Sequence, residues 1–136
     1  MQALTKDDLA RLETARMVVS DLVRAQLGDA AASSIDLAVL QTLLDRKVPA
    51  PDETYKLQCM GIVFGDLLCA RTRFEWRIVD DEYGRDPTLV YSGKAFQFNV
   101  LTAISKRVEN GEDIDLVDMA DWALERAEAG AGAEVH

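Results

Sequence analysis

The sequence has a single histidine, His136, and it is the last residue of the chain. Nucleophilic serines and cysteines usually depend on a neighbouring histidine as base, and zinc sites need several histidine or cysteine ligands. The sequence also has no glycine-rich loop of the kind that follows a strand, opens a helix and binds phosphate. These absences predict a protein without a metal ion or cofactor, and without catalytic residues.

Cysteine is also scarce, with only Cys59 and Cys69 in 136 residues. Both lie in one apolar stretch that is predicted to be helical, where ten residues of helix separate them by about 15 Å. A disulfide needs Cα atoms within about 7 Å, so we expect two free and buried thiols. Free thiols are typical of a reducing compartment, and we therefore predict a cytoplasmic protein.

Long apolar runs are absent, and no stretch approaches the roughly 18 residues that a membrane helix requires. Residues 1–8 do not combine a basic start with an apolar stretch, so we expect no secretory signal in this chain. Basic residues are outnumbered by acidic ones, 15 against 24, which gives a net charge of -9. This balance argues against nucleic acid and anionic membranes as partners, because both attract lysine and arginine.

Hydrophobic residues make up 49% of the sequence, which is enough for a core without disulfides or a structural metal. Helical periodicity predicts a first helix that begins after Thr5, turns Leu9 toward the core and ends at Gly28. Ser33 and Asp36 are predicted to open a second helix, which Pro49 and Pro51 end.

A third helix is predicted over residues 53–70, with Asp52 as its N-cap. From Leu57 onward this segment has almost no polar face, so we expect it to lie at the centre of the fold. Gly61 and Gly65 share one face of the helix and predict the close approach of another element.

After Arg71 the hydrophobic period changes from helical to two, which predicts a half-buried strand. Its apolar residues are Phe74, Trp76 and Ile78. Residues 80–87 are then predicted to form a turn-rich connector, residues 88–92 a second strand and residues 95–98 a short third strand. Asn99 and Asp115 are expected to cap two final helices, the second running from Leu116 to about Glu128.

Strands that are grouped together and do not alternate with helices favour an α+β fold. We therefore predict one α+β domain over residues 1–129, followed by a flexible tail over residues 130–136. The domain is expected to have three N-terminal helices, a small antiparallel two- to three-stranded meander and two C-terminal helices.

Two groups of acidic residues could carry chemistry. Asp66 is the only acid inside the apolar third helix, so it is the candidate for acid–base work. The simpler interpretation is an ion pair with Arg71, Arg73 or Arg77. Residues 80–86 are rich in carboxylates but lack the residue order of a calcium-binding loop, which favours a solvated turn.

The charge is distributed unevenly along the chain. Residues 1–108 carry a net charge of -1, whereas residues 109–136 carry -8. Four acids of the last predicted helix fall on one face, opposite its apolar residues, with Trp122 at the boundary. These acids are Asp118, Asp121, Glu125 and Glu128. A solvated face would explain them, but they could also bind a basic partner, with Trp122 as an aromatic anchor.

The stretch from Leu57 to Glu125 resembles a family of small bacterial proteins described as a domain of unknown function. The resemblance lies in a glycine-bearing helix at residues 61–68, a tryptophan strand with an acidic turn at residues 76–86, and a helix ending at residues 106–112. It implies a compact α+β domain and transfers no activity or catalytic residue.

Small acidic proteins without catalytic residues also look like the immunity proteins with which bacteria neutralise secreted toxins. We therefore expect a non-enzymatic protein-binding module whose acidic helix covers a basic surface of a partner such as a toxin. The alternative hypothesis is an accessory domain that self-associates through apolar surface, with the acidic helix only solvated. A third hypothesis is an enzyme that uses Asp66 or residues 80–86.

Overall fold

The computed structural model describes residues 2–82 and 84–130. In this part of the chain, six helices surround one three-stranded antiparallel sheet, which confirms the predicted α+β fold. The elements are α1 (Lys6–Leu27), α2 (Asp29–Ala32), α3 (Leu37–Asp45), α4 (Thr54–Arg71), β1 (Phe74–Asp81), β2 (Gly84–Tyr91), β3 (Gln97–Phe98), α5 (Val100–Glu109) and α6 (Leu116–Glu128). The four-residue helix α2 was not predicted from the sequence.

The hairpin of β1 and β2 is longer than predicted. Its ladder runs from the pair Phe74–Tyr91 to the pair Asp81–Gly84, so most of the predicted connector over residues 80–87 is strand. Opposite charges face each other across the ladder, with Asp80 opposite Arg85, and such pairs favour strand pairing. β3 pairs only with Leu89 and Val90, which makes it shorter than the predicted segment 95–98.

Helix α4 forms the centre of the core, as predicted, and most of its residues from Leu57 to Leu68 are buried. Its two glycines permit close packing. A Cβ atom at position 61 would lie 2.5 Å from the carbonyl oxygen of Val100 on α5, and one at position 65 would lie 2.6 Å from the indole ring of Trp76. A larger residue at either glycine would therefore push α5 or β1 away from the core.

One predicted helix cap is wrong, and another is correct in position but makes no side-chain bond. Asp52 does not cap α4, whose N-cap is Glu53, and Asn99 is the N-cap of α5 but makes no capping bond. Side-chain caps need an extended backbone at the N-cap residue. Glu53 and Asn99 have ψ angles of 61° and 78°, whereas Thr5 has 175° and does cap its helix.

Helix α1 also corrects a prediction, because Leu9 points to solvent with 53% of its surface exposed. The buried face of α1 contains Leu12, Val19 and Val23, and Asp8 lies in phase with them at 5% exposure. Since one residue of helix turns the side chain by about 100°, burying Asp8 turns Leu9 outward. The reason that Asp8 is buried is its arginine partner on β2, described below.

The N-terminal segment also closes one edge of the sheet. The amide of Gln2 donates to the carbonyl of Ile78 at 2.9 Å, and the amide of Ile78 donates back to Gln2 at 2.8 Å. This bridge satisfies backbone groups on the outer edge of β1.

The predicted tail over residues 130–136 lies outside the described residues except for Gly130. Within the described ranges, no helix combines the length and apolar character needed to cross a membrane.

Candidate protein-docking surface

Helix α6 begins where local chemistry predicts. The carboxylate of Asp115 accepts a hydrogen bond from the amide of Asp118 at 3.1 Å, which caps the first turn. A second contact fixes the same end from α3. The side-chain amide of Gln41 donates to the carbonyl of Ile114 and accepts from the amide of Leu116, both at 2.9 Å. The position of α6 is therefore set by polar bonds as well as by packing.

The two faces of α6 differ as the periodicity predicts. Its buried residues are Leu116, Met119, Ala123 and Ala127. The opposite face carries four exposed carboxylates, which we call the acidic stripe: Asp118, Asp121, Glu125 and Glu128. Among residues 2–82 and 84–130, no salt bridge to lysine or arginine involves any of these four. Their mutual repulsion is therefore balanced by no ion pair within that part of the chain.

Trp122 lies at the boundary of the two faces, as predicted, but it belongs partly to the core. Its ring stands edge-on to Phe96 and Phe98, with ring centroids 6.1 and 5.9 Å apart. The guanidinium of Arg126 lies over the same ring at 5.6 Å. Trp122 is half-buried, so only part of the indole is left for a partner.

The exposed part of Trp122 lines an open cavity of about 350 Å³ beside the acidic stripe. Asp115 and Asp118 line the same cavity, together with Arg107 from α5. An aromatic wall next to carboxylates suits a lysine or arginine side chain, because cations are attracted to both.

A cavity of about 330 Å³ lies between the α3–α4 loop and the α5–α6 loop. Its apolar residues include Leu44, Pro49 and Ile114, and its exposed rim carries both Lys47 and Glu112. Three carboxylates of this lining, Asp45, Glu112 and Asp113, outnumber its one lysine, so the charge of the cavity favours a cationic over an anionic ligand.

Asp66, the sequence-based candidate for acid–base chemistry, is held by a partner other than those predicted. Both of its oxygens accept from the guanidinium of Arg16 on α1, at 2.7 and 2.9 Å, and one also accepts from the indole N–H of Trp76 at 3.0 Å. The prediction of a pair with Arg71, Arg73 or Arg77 is wrong. The carboxylate of Asp66 links α1, α4 and β1 through these bonds, so it stabilises the fold.

A second carboxylate is held in the same way near the hairpin. Arg85 on β2 donates to both oxygens of Asp8, at 2.6 and 2.8 Å, while Asp8 completes the capping box with Thr5. The hydrogen bonds from Arg85 and from the backbone of Thr5 hold the pKa of Asp8 well below its usual range. Arg11 on α1 adds a further pair with Asp86 at 3.3 Å.

Residues 80–81 and 84–86 lie in β1 and β2 and not in a loop of converging oxygens. Within the described ranges, no group of three or more histidine, cysteine, aspartate or glutamate residues is placed to hold a metal ion.

The two cysteines lie on α4 as predicted, and both are free thiols. Cys59 is buried as predicted, whereas Cys69 is partly exposed, which corrects the prediction that both thiols are buried. Burial raises the pKa of Cys69 to about 12, with smaller contributions from the nearby carboxylates of Asp66 and Glu75. Burial also raises the pKa of Cys59, so neither thiol is activated as a nucleophile.

Comparison with known families gives a match over residues 36–119, to the domain of unknown function DUF3806. The chain belongs to this family. The match confirms the resemblance inferred from the sequence, and the family carries no assigned activity. Of the acidic stripe, only Asp118 lies inside the matched residues, so most of the stripe lies beyond the family domain.

The fold is similar to that of a crystal structure from Bacteroides thetaiotaomicron VPI-5482, with a TM-score of 0.78 and 16% sequence identity. The similarity covers 91% of this chain and 46% of the other, so this chain spans less than half the length of that protein. At this identity the comparison shows a common fold. No curated protein matches the sequence.

Two residues near α6 were missed by the sequence reasoning. Gln41 gave no signal, because its hydrogen bonds join positions 73 and 75 residues away. Val117 could have been found, since it is a large apolar residue next to Asp118 on the polar side of the helix. It is 54% exposed.

Proposed function

We propose that this chain is a non-enzymatic protein-binding module of the bacterial cytoplasm that docks a partner with a basic surface through the acidic stripe. In the form that we favour, it acts as an immunity protein that neutralises a basic toxin. The observation that carries this proposal is that four aligned carboxylates of α6 are exposed with no salt bridge among the described residues.

An acidic stripe of this kind is suited to rapid recognition. Like charges at (i, i+3) and (i, i+4) spacing cost a helix a few tenths of a kcal/mol per pair. A basic partner removes that cost on binding, and the field of the stripe steers the partner before contact. Association should therefore be fast at low ionic strength and slower when salt screens the charges.

The test compares two variants of equal net charge. In the first, the acidic stripe is reversed by Asp118→Lys, Asp121→Lys, Glu125→Lys and Glu128→Lys. In the matched control, four exposed acids outside α6, which also form no salt bridge among the described residues, are reversed by Asp7→Lys, Asp52→Lys, Glu82→Lys and Glu112→Lys. The partner is identified by capture on the wild-type protein from a lysate of the source organism, and then purified.

We expect the stripe variant to lose most of the association rate with this partner and its salt dependence. The control variant should keep both, because steering depends on where the charge lies as well as on its sum. Equal association rates for the stripe variant and the wild type would refute the proposal. Circular dichroism of both variants checks that the fold is retained.

Trp122 provides a second test of the same surface. An aromatic anchor acts after contact, so its loss should raise the dissociation rate and leave the association rate unchanged. Because the indole packs on Phe96 and Phe98, Trp122→Ala would also open the core, and Trp122→Phe is the cleaner variant. If Trp122→Phe leaves the dissociation rate unchanged, Trp122 belongs to the core alone.

One observation favours the alternative of a self-associating accessory domain. Leu9 and Met17 on α1 are exposed by 53% and 62%, and exposed apolar side chains can mark an interface. Sedimentation equilibrium over a range of concentrations tests this function. A dimer that is lost in the double variant Leu9→Glu, Met17→Glu would support it, whereas a monomer at all concentrations would eliminate it.

A further inference from the structure

An apolar groove of about 210 Å³ lies where α3, α4 and α6 meet, directly beside the acidic stripe. We call it the α6 groove. Its lining includes Leu37, Leu67, Leu68, Val117, Ala120 and Asp121. Asp121 belongs to both the groove and the stripe, so an apolar cleft and a row of carboxylates form one continuous surface.

We propose that the α6 groove receives one aliphatic side chain from a basic amphipathic segment of the partner protein, and this inference rests on the proposed function. Val117 stands at the groove with 54% of its surface exposed, although it is a large apolar residue. A leucine or isoleucine side chain that enters the groove would cover it, and the lysines or arginines next to that side chain would face Asp121.

Arg71 makes the two sides of the groove electrostatically different. It lines the groove from the end of α4, is exposed, and has no salt bridge among the described residues. Its guanidinium repels a cation on the α4 side, while Asp121 attracts one on the α6 side. The bound segment must therefore place its basic residues toward α6 and a neutral or acidic group toward α4.

The groove and the stripe should act on different rate constants. The stripe acts at a distance and sets the association rate, whereas the groove acts after contact and sets the dissociation rate. Burying one aliphatic side chain should tighten the dissociation constant by about 10- to 100-fold.

The probe is a synthetic helix-forming peptide with one row of leucines flanked by lysines, and a matched peptide has alanine at its central leucine. Binding is measured by calorimetry and stopped flow, and the methyl NMR signals of Leu37, Leu67 and Val117 report where the peptide lies. The key variant is Val117→Ser, which leaves every charge in place. Tyr55→Ser is its control, because Tyr55 is equally exposed (59%) and lies at the other end of α4.

We expect Val117→Ser to weaken binding of the leucine peptide at least tenfold through faster dissociation, with no change for Tyr55→Ser. The alanine peptide should bind equally weakly to the wild type and to Val117→Ser. Arg71→Ala should strengthen binding of the lysine-rich peptide a few-fold. The three methyl signals should shift with the leucine peptide.

A further variant separates this inference from the proposed function. It carries Asp118→Lys, Glu125→Lys and Glu128→Lys but keeps Asp121 in the groove. If its association rate falls while Val117→Ser and the methyl signals show no effect, the groove inference is wrong and the acidic stripe stands. If Val117→Ser weakens binding and the lysine variant does not, the occupant is not basic and both proposals fail. Shifts of the same methyl signals with protein concentration, without peptide, would identify a second copy as the occupant and overturn the inference.

Discussion

Carboxylates have opposite environments in two regions of this molecule, since they are paired with arginine in one and exposed to solvent in the other. Around α1, α4 and the β1–β2 hairpin, three of them are each bound by an arginine from another element. The pairs are Asp8 with Arg85, Asp66 with Arg16, and Asp86 with Arg11. On α6, the four carboxylates of the acidic stripe face solvent with no salt bridge among the described residues.

The difference shows that acidic composition alone says little about function. The bound carboxylates hold α1 against the rest of the fold, and their charge is neutralised locally. The acidic stripe contributes no such contact, so its four negative charges stay exposed to solvent. The comparison would fail if neutralising a bound carboxylate and neutralising a stripe carboxylate changed the stability of the protein equally.

The largest loss of folding stability is expected from Asp66→Ala. This change removes the acceptor of the indole N–H of Trp76 and both bonds from Arg16 to Asp66, so that Arg16 keeps only its exposed pair with Glu13. It should lower the free energy of unfolding by about 1–3 kcal/mol. Asp121→Ala on the stripe should change it by less than about 0.5 kcal/mol. Urea unfolding at neutral pH measures both. Similar values for the two variants would abolish the distinction.

The pH dependence of stability sharpens the comparison at Asp8. Because its pKa is lowered in the folded protein, the carboxylate adds stability that is fully present above its unfolded pKa of about 3.9. That contribution is lost as the pH falls from about 4 toward the lower folded pKa. The difference in unfolding free energy between the wild type and Asp8→Asn should shrink over this range and stay constant above about pH 5. A difference that grows on acidification would contradict the assignment.

Neutralising the whole stripe should have a smaller effect on stability. The variant is Asp118→Asn, Asp121→Asn, Glu125→Gln and Glu128→Gln. It removes repulsion worth a few tenths of a kcal/mol per pair, but also loses the favourable interaction of Asp118, in the first turn of α6, with the helix dipole. Net stability should therefore stay within about 1 kcal/mol of the wild type. Added salt should stabilise the wild type more than the variant, and an equal response would count against repulsion in the stripe.

The smallest expected effect is on the reactivity of the thiols. Because Cys69 lies near Asp66, its reaction rate reports on a bound carboxylate in the folded protein. Cys69, with its pKa raised to about 12, should react slowly with a thiol reagent at neutral pH, and buried Cys59 more slowly still. Asp66→Asn should lower the pKa of Cys69 and speed its reaction slightly, while Asp121→Asn should not. Rapid labelling of Cys69 in the native wild type would contradict the burial that raises its pKa.

Much of the fold could be predicted because the decisive chemistry is local. Thr5 and Asp8 form a capping box within one helical turn, and Asp115 caps α6 at the predicted position. Of the two residues predicted to open α3, Asp36 is the N-cap, whereas Ser33 ends α2. The apolar character of residues 57–70 likewise placed α4 at the centre. The separation of carboxylates and apolar residues on α6 also follows from helical spacing alone.

What could not be predicted depends on residues that are distant in sequence. Asp66 binds Arg16, which is 50 residues away, and the nearer arginines gave the wrong partner. The exposure of Leu9 follows from the contact between Asp8 and Arg85, 77 residues apart. The α6 groove needs α3, α4 and α6 together, so no single stretch of sequence predicts it.

The hydrogen bonds of Gln41 have a mechanical consequence. One side chain on α3 holds both a carbonyl and an amide at the start of α6, so two bonds share any tension that a bound partner applies to this helix. Force on α6 then passes directly into α3, bypassing residues 110–113 between α5 and α6. Under load, α3 and α6 should therefore move as one body.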